Sequence, residues 1–242
     1  TGAWHRIIEA INTTIVDNSR ALLIDEANTL YDETMPRINT TPFYSAYVKI
    51  AEGCSNCCSY CVIPKVRGKF RSRTTESIVA EVKNLVARGV KEINLIAQDT
   101  TSYGRDLYGG PKLIDLLKEL VKIEDLMWVR LLYCYPKYFS NELIELIATE
   151  PKICKYIDLP LQHANDDILK AMLRQDGRSD IEKLLSKLRD RIPGITIRTS
   201  FIVGFPGETE EHFEDLRQFV TEQRFDRVGV FTYSQEDDTI AG

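Results

Sequence analysis

Three of the six cysteines have a spacing that suits an iron–sulfur cluster. Cys54, Cys58 and Cys61 form a C-x3-C-x2-C pattern within eight residues. Three thiolates on one short loop can wrap one corner of a cube-shaped cluster and leave its fourth iron free of protein sulfur, whereas clusters are normally bound by four cysteines. Because catalytic metal sites keep an open coordination position, the pattern predicts a reactive cluster.

Two other interpretations of these cysteines stay open: a structural zinc site and a loop of reduced thiols. Zinc prefers four ligands in paired C-x2-C spacing, and the sequence shows no second pair or histidine cluster. His163 and His212 are distant in sequence but could approach in space. Four crowded cysteines in a chain this long favour metal or cluster binding over disulfides. Cys57 is sterically a poor ligand, and we interpret the isolated Cys134 and Cys154 as small core residues.

Apolar runs that alternate with helical patterns predict the elements that must position this loop. Strand-like runs cover residues 45–50, 92–97, 128–133, 155–159, 196–203 and 227–232. Helical segments lie near residues 75–88, 112–122, 140–149, 165–174, 178–190 and 209–223. Alternating strands and helices imply a parallel sheet with right-handed crossovers. Six units are too few for a closed eight-unit barrel, so we predict an α/β fold, a partial (βα)6 TIM-like barrel with its chemistry at the ends of the strands.

Residues 1–40 differ from the rest. They begin with an amphipathic helical pattern, in which Trp4, Ile7, Ile8 and Ile11 share one face, and continue with few periodic signals. We expect residues 1–40 to be the end of a truncated N-terminal domain plus a linker, and residues 41–242 to be the core domain.

The composition limits the compartment and the partners. No apolar stretch approaches the roughly 20 residues that cross a bilayer, and no signal peptide is evident, so we expect a cytoplasmic location. The net charge of −5 disfavours a large nucleic-acid surface and would suit a basic protein partner.

The cysteine loop with Tyr60 resembles the signature of the radical S-adenosylmethionine (SAM) superfamily. Four further segments, residues 62–68 (VIPKVRG), 158–163 (DLPLQH), 198–209 (RTSFIVGFPGET) and 228–234 (VGVFTYS), resemble its methylthiotransferase family over roughly residues 44–242. One branch of that family modifies a tRNA adenosine. The other, the RimO branch, methylthiolates the β-carbon of an aspartate in ribosomal protein S-twelve. Residues 98–104 (QDTTSYG) and 231–239 (FTYSQEDDT) resemble the RimO branch. The tRNA branch and a non-catalytic metal- or cluster-binding module are the alternatives.

The resemblance implies a 4Fe-4S cluster whose open iron chelates SAM, which is then cleaved reductively with an electron from an external donor. It also implies a ribosomal protein substrate, and a second 4Fe-4S cluster held only by the missing N-terminal domain. We therefore expect these 242 residues to cleave SAM without completing methylthiolation.

The resemblance further implies which residues bind SAM. Tyr60 would flank the adenine, Gln98 and Thr100 would accept from the methionyl ammonium, and Gln162 and His163 would hold the ribose. Arg130 or Arg198 would pair with the carboxylate. The remaining predicted cofactor-binding residues, on the last two strands and the turn between them, are Ser200, Gly204 and Phe231.

Three of these features have structural alternatives. Asp99 could simply cap a helix, and a buried histidine such as His163 is often structural. Gly204 opens a GFPG turn before the acidic start of a helix, which suits the helix dipole without any ligand. Basic residues alternate from Lys65 to Arg73, and as a strand-like segment they would share one face, forming either a solvated rim or contacts to SAM or substrate.

Overall fold

The computed structural model describes residues 2–242, and its main feature is a sheet of six parallel strands. In spatial order these strands are β1 (Ser45–Lys49), β4 (Glu92–Ile96), β5 (Trp128–Leu131), β6 (Ile153–Asp158), β7 (Thr196–Val203) and β8 (Arg227–Thr232). Each pair of neighbours is parallel. The predicted α/β fold and its six strands are confirmed.

Helices connect the strands in chain order. They are α1 (Ile7–Ile15), α2 (Ile63–Arg67), α3 (Thr75–Ala87), α4 (Leu113–Leu120), α5 (Asn141–Thr149), α6 (Asp166–Ala171), α7 (Arg178–Arg191) and α8 (Glu210–Gln223). Short 3₁₀ turns occupy Trp4–Arg6, Thr100–Ser102 and Pro136–Tyr138. The apolar faces of the helices from α3 onward pack on the sheet in a main core, in which Val48, Leu95 and Phe201 are fully buried. A smaller second cluster contains Ile168, Met172 and Phe205. None of the helices within residues 2–242 is long and apolar enough to span a bilayer.

Buried residues alternate with more exposed residues along the strands, and this alternation distinguishes the two faces of the sheet. In β1, Ala46 and Val48 are buried, whereas Tyr47 and Lys49 face the opposite side. In β7, Ile197, Thr199 and Phe201 are buried in the same way, and the residues between them stay half-buried. Since successive side chains of a strand point to opposite faces, one face packs on the helices and the other lines the open interior of the partial barrel.

The predicted basic stripe from Lys65 to Arg73 is wrong. Lys65 and Arg67 lie in α2, and the chain forms a short strand, β3 (Arg71–Ser72), only afterwards. β3 pairs with β2 (Ala51–Glu52) in a separate antiparallel sheet. Because helix and strand have different periods, the alternate cations do not share one face.

Residues 2–40 are tied to the core by charges around one buried carboxylate. Glu81, on α3, pairs with the buried Arg73 and also with Arg37. Ser77 of the same helix donates to Glu33, and the guanidinium of Arg73 lies 5.4 Å from the ring centre of Tyr31. In contrast, the predicted apolar face of α1 is exposed, with Ile8 at 65% and Ile15 at 75%.

We expect Glu81→Gln to destabilise the chain strongly, because it leaves the buried Arg73 without its counter-ion. Breaking a buried ion pair by removing one partner costs about 3–5 kcal/mol. Urea unfolding followed by circular dichroism measures the loss. Asp115→Asn, which breaks the exposed Lys112–Asp115 pair, is the matched control and should change little. Equal stability of the two variants would contradict this role for Glu81.

Candidate functional site

The three cysteines line one cavity at the edge where the parallel strands end. The cavity has a volume of about 430 Å³, a size typical of small-molecule sites. Its walls come from the cysteine loop and the start of α2, from the last residues of β1 and β4, from the residues that follow β4, β5 and β6, and from the turn after α6. They are Lys49, Cys54, Asn56, Cys58, Tyr60, Cys61, Ile63, Ile96, Ala97, Gln98, Tyr133, Cys134, Tyr135, Pro160, Gln162 and Arg174.

Backbone hydrogen bonds hold the cysteine loop in place. The N–H of Cys54 donates to the carbonyl of Gly68 (3.1 Å), and that of Cys61 donates to Cys58 (3.1 Å). Ser59 bonds across to the end of α6, its hydroxyl donating to the carbonyl of Ala171 at 2.7 Å. Gly53 precedes the first cysteine with φ +75°, and a Cβ there would lie 2.3 Å from the carbonyl oxygen of Lys69. Only glycine fits this approach.

Burial makes two of these thiols, those of Cys54 and Cys61, hard to ionise before a metal binds. It raises the pKa of Cys54 to about 11, although the N–H of Asn56, which donates to the sulfur, acts in the opposite direction. Burial also raises the pKa of Cys61. Since thiolates are the species that ligate metals, iron must displace these protons.

The donor set suits a cluster better than a single ion. Within residues 2–242, no three His, Cys, Asp or Glu side chains converge closely enough to hold one ion. A single zinc ion would need thiolates about 2.3 Å from the same centre. A cluster binds each thiolate to a different iron, and three thiols that line one cavity fit that donor set.

Gln98 supplies an unused acceptor in the same cavity. Its Oε1 atom is buried and has no hydrogen-bond partner within the part of the chain described. A buried polar atom without a partner costs about 1–3 kcal/mol. The cavity therefore offers a site for a ligand that carries an N–H or O–H donor.

Two residues of the cavity wall have a strained backbone. Tyr133 follows β5 with φ 57°, and Gln162 follows β6 with φ 75°. Backbone bonds fix Gln162 from both sides, because its N–H donates to Ser200 and its carbonyl accepts from Ile202, each at 2.8 Å. Left-handed non-glycine residues cost about 1–3 kcal/mol and often mark functional sites.

Arg174 is the functional candidate that the sequence analysis missed. Its guanidinium lies 4.0 Å from the ring centre of Tyr135, and Nη1 is 3.9 Å from the sulfur of Cys58. Nη2 donates to the carbonyl of Pro160 at 3.1 Å. Arg174 follows α6 and not a strand, so an inspection of strand ends alone could not find it. Among the described lining residues, Arg174 and Lys49 are the two cations.

The structure places the two predicted arginines away from this cavity. Arg130 pairs with Glu92 at 2.8 Å and stacks on Tyr156. Arg198 pairs with Asp158 at 2.7 Å, which is its register partner on β6. Both guanidinium groups already have carboxylate partners, and this favours structural roles for them.

Thr100 and His163 are also outside the cavity wall. Thr100 is fully buried, and its hydroxyl donates to the carbonyl of Leu132 at 2.6 Å. His163 is fully buried too; its Nδ1 accepts from the N–H of Asn165 (3.0 Å), and its Nε2 lies 3.4 Å from Glu208. Burial lowers the pKa of His163, although the bond to Glu208 opposes this. Both placements favour structural roles.

Ser200, Gly204 and Phe231 do not line the cavity either. Phe231 is 59% exposed on β8. Gly204 has φ +72°, but a Cβ there would meet nothing within 4 Å, so the turn needs glycine for its backbone conformation and not for a close approach. Tyr60, Gln98 and Gln162 are the predicted cofactor-binding residues that lie with the cysteines.

Asp99 caps a turn and also supports the cysteine loop. Its carboxylate accepts from the hydroxyls of Thr101 (2.6 Å) and Ser102 (2.7 Å). It also accepts from the side-chain amide of Asn56 at 2.9 Å. The backbone N–H of Ser102 donates to the same carboxylate at 3.2 Å, so the capping role is confirmed. The same residue joins the end of β4 to the loop that carries the thiols.

The fold and the site together define a partial-barrel α/β protein with a three-thiolate site at the carboxyl ends of its strands. Residues 48–220 match the radical SAM superfamily. The chain belongs to this superfamily.

Two relatives show which kind of radical SAM protein the chain is similar to. The chain is 58% identical over 240 residues to the ribosomal protein uS12 methylthiotransferase RimO of Desulforamulus reducens, covering 99% of this chain and 54% of that protein. It is 55% identical over 235 residues to the protein of the same name in Heliobacterium modesticaldum, covering 97% and 51%. The chain thus spans about half the length of these relatives.

A solved structure supports the fold. The radical SAM methyltransferase TsrM from Kitasatospora setae superposes with a TM-score of 0.63 at 22% identity, over 77% of this chain and 36% of that one. At this identity the likeness concerns the fold alone. The predicted partial barrel is thereby confirmed.

We expect Gln162→Gly to stabilise the chain by about 1 kcal/mol, because glycine relieves the left-handed strain. Urea unfolding measures the change. Gln162→Ala is the matched control: it removes the same amide but keeps a Cβ, so it should bring no gain. If alanine stabilised the chain as much as glycine, the effect would come from the side chain and not from the backbone.

Proposed function

We propose that this chain is the SAM-cleaving core of a RimO-type methylthiotransferase. The observation that carries the proposal is the single cavity that Cys54, Cys58 and Cys61 share at the carboxyl edge of the sheet. The 55–58% identity to proteins named RimO supports this branch over the tRNA branch.

The residues present fit a 4Fe-4S cluster with SAM. Three thiols line the cavity, and the unpartnered Oε1 of Gln98 offers an acceptor to the ammonium of SAM. Tyr60 adds an aromatic wall for the adenine, and Gln162 a polar group for the ribose. Cys54, Cys58 and Cys61 would hold the cluster, whose reduced form would supply the electron for cleavage of the S–C5′ bond of SAM. The chain would position the cofactor.

Arg174 is better placed than Arg130 or Arg198 to bind the carboxylate of SAM. It lines the cavity beside Cys58, whereas the other two are paired with Glu92 and Asp158. Its ring contact with Tyr135 fixes the plane of the guanidinium. A planar guanidinium suits a carboxylate, because two parallel N–H groups can donate to it.

The whole protein's activity would need more than this chain. We infer that the substrate is the β-carbon of an aspartate in ribosomal protein uS12, which is basic like other ribosomal proteins. A second 4Fe-4S cluster in an N-terminal domain would support the sulfur step, and an external donor would reduce the cluster. Work on a ribosomal protein implies a cytoplasmic location.

We expect the chain, reconstituted anaerobically with iron and sulfide, to show broad cluster absorbance and to form 5′-deoxyadenosine from SAM and dithionite. Cys54→Ser, Cys58→Ser and Cys61→Ser should each abolish this product, because each removes one cluster ligand. Cys57→Ser is the matched control, since this exposed thiol lies in the same loop but does not line the cavity. It should keep both signals.

Two outcomes would contradict the proposal. One is tight binding of a single zinc ion with no iron after anaerobic preparation, which would favour a non-catalytic module. The other is product formation that survives loss of any of the three cysteines.

We expect Arg174→Gln to weaken SAM binding by roughly 10- to 100-fold, the value of one or two charge-assisted hydrogen bonds. Equilibrium dialysis of labelled SAM with the reconstituted chain measures the affinity. Arg105→Gln is the matched control, because Arg105 also stacks on a tyrosine (3.9 Å from the ring centre of Tyr138) but lies outside the cavity. If Arg174→Gln kept the affinity for SAM and Arg130→Gln lost it, Arg130 would be the residue that binds the SAM carboxylate.

A further inference from the structure

A second cavity adjoins the cysteine cavity on the inner face of β1 and β4. Its volume is about 530 Å³, and five residues that precede β1 line it together with residues of the sheet and of α2. The lining residues are Trp4, Tyr31, Pro36, Arg37, Ile38, Tyr47, Lys49, Glu52, Arg67 and Ile96. Lys49 and Ile96 line both cavities, so the two meet at these side chains.

The charge of this second cavity is opposite to that of the chain. Three cations, Arg37, Lys49 and Arg67, face it together with one carboxylate, Glu52. The chain as a whole has a net charge of −5. Glu52 pairs with both Lys49 and Arg67, so a single carboxylate faces three cations in this cavity.

The three cations differ in how many of their N–H donors already have an acceptor. Arg37 is already held by Glu81 and by the carbonyl of Tyr47. Arg67 pairs with Glu52 at 3.2 Å. Lys49 donates to Glu52 at 2.6 Å, and this is the one acceptor of its ammonium within residues 2–242. Because an ammonium has three N–H donors, Lys49 can bind a second anion.

We propose that the second cavity receives an acidic side chain of the protein substrate, and that Lys49 binds the carboxylate of that side chain where the two cavities meet. This inference rests on the proposed function and names its substrate subsite. The position of Lys49 fits, because a carboxylate held there presents the neighbouring carbon to the cysteine cavity. The apolar walls, Trp4, Pro36 and Ile38, suit a peptide.

Charge also explains how a basic substrate protein and an acidic side chain can both be selected. The acidic exterior attracts a basic partner over long range, since summed charge steers encounter. Inside, the excess of cations favours a carboxylate and rejects a neutral side chain of the same shape. Lys49 is half-buried, and a half-buried ammonium that gains a second carboxylate favours the charged side chain over its uncharged analogue.

Binding of two short basic peptides tests this inference. They are fluorescein-labelled and identical except for one aspartate or one asparagine at the centre. Fluorescence anisotropy with the reconstituted chain and SAM gives each dissociation constant. We expect the aspartate peptide to bind at least about tenfold more tightly, and Lys49→Gln to remove this preference. Lys112→Gln is the matched control, because it removes a lysine from an exposed i,i+3 pair and should keep the preference.

Formation of 5′-deoxyadenosine, measured without peptide, separates this inference from the proposed function. If the wild-type chain cleaves SAM and prefers the aspartate peptide, and Lys49→Gln loses this preference while it binds the asparagine peptide as tightly as wild type does, the inference holds. It is overturned if wild type binds both peptides equally or neither, or if Lys49→Gln keeps the preference. Loss of SAM binding in Lys49→Gln would overturn it too, since Lys49 would then serve the cofactor. A failure of wild type to cleave SAM would instead reject the proposed function.

Discussion

The common direction of the six strands is the constraint on which the site depends. In a parallel sheet every carboxyl end lies at the same edge, so loops that are far apart in sequence must meet there. The cysteine loop follows the first strand, Gln98 the second and Gln162 the fourth, yet all of them line one cavity of about 430 Å³. Side-chain hydrogen bonds then fix these loops relative to one another. Asn56 reaches Asp99, and Ser59 reaches the end of α6, so the thiols cannot move independently of the strands around them.

The fold could be predicted from the sequence to the extent that local patterns determine it. The six strands and the helices between them came from hydrophobic periodicity, because each must bury one face. The small β2–β3 sheet could not be found in this way, since each strand has two residues and no period to detect. The basic stripe failed for the same reason: an alternation of charges predicts one face only if the segment is a strand, and residues 63–67 form a helix instead.

Within the site, the cysteines and the residues at strand ends were more predictable than the charged residues. Arg130 and Arg198 lie on strands, where we expected the residue that binds the SAM carboxylate. Each of them instead pairs with a carboxylate on the neighbouring strand. That pairing depends on the register between strands, which the sequence does not specify. Arg174 reaches the cavity from a turn after α6, because its guanidinium spans from Tyr135 to Cys58. The charged end of a long side chain can lie several bonds away from its backbone, so the position of the backbone alone does not show where the charge acts.

The same reasoning separates residues that bind from residues that hold binding residues in position. His163 is completely buried and fixes Glu208, which in turn accepts from the N–H of Phe205 at 2.9 Å. These bonds shape the glycine turn without touching the cavity. Lys49 and Arg174 keep donors free at the cavity surface, at positions where the neighbouring groups do not fully neutralise them. Charge that is not fully neutralised on a cavity wall is therefore a better guide to candidate binding residues than the residue type or its place at a strand end.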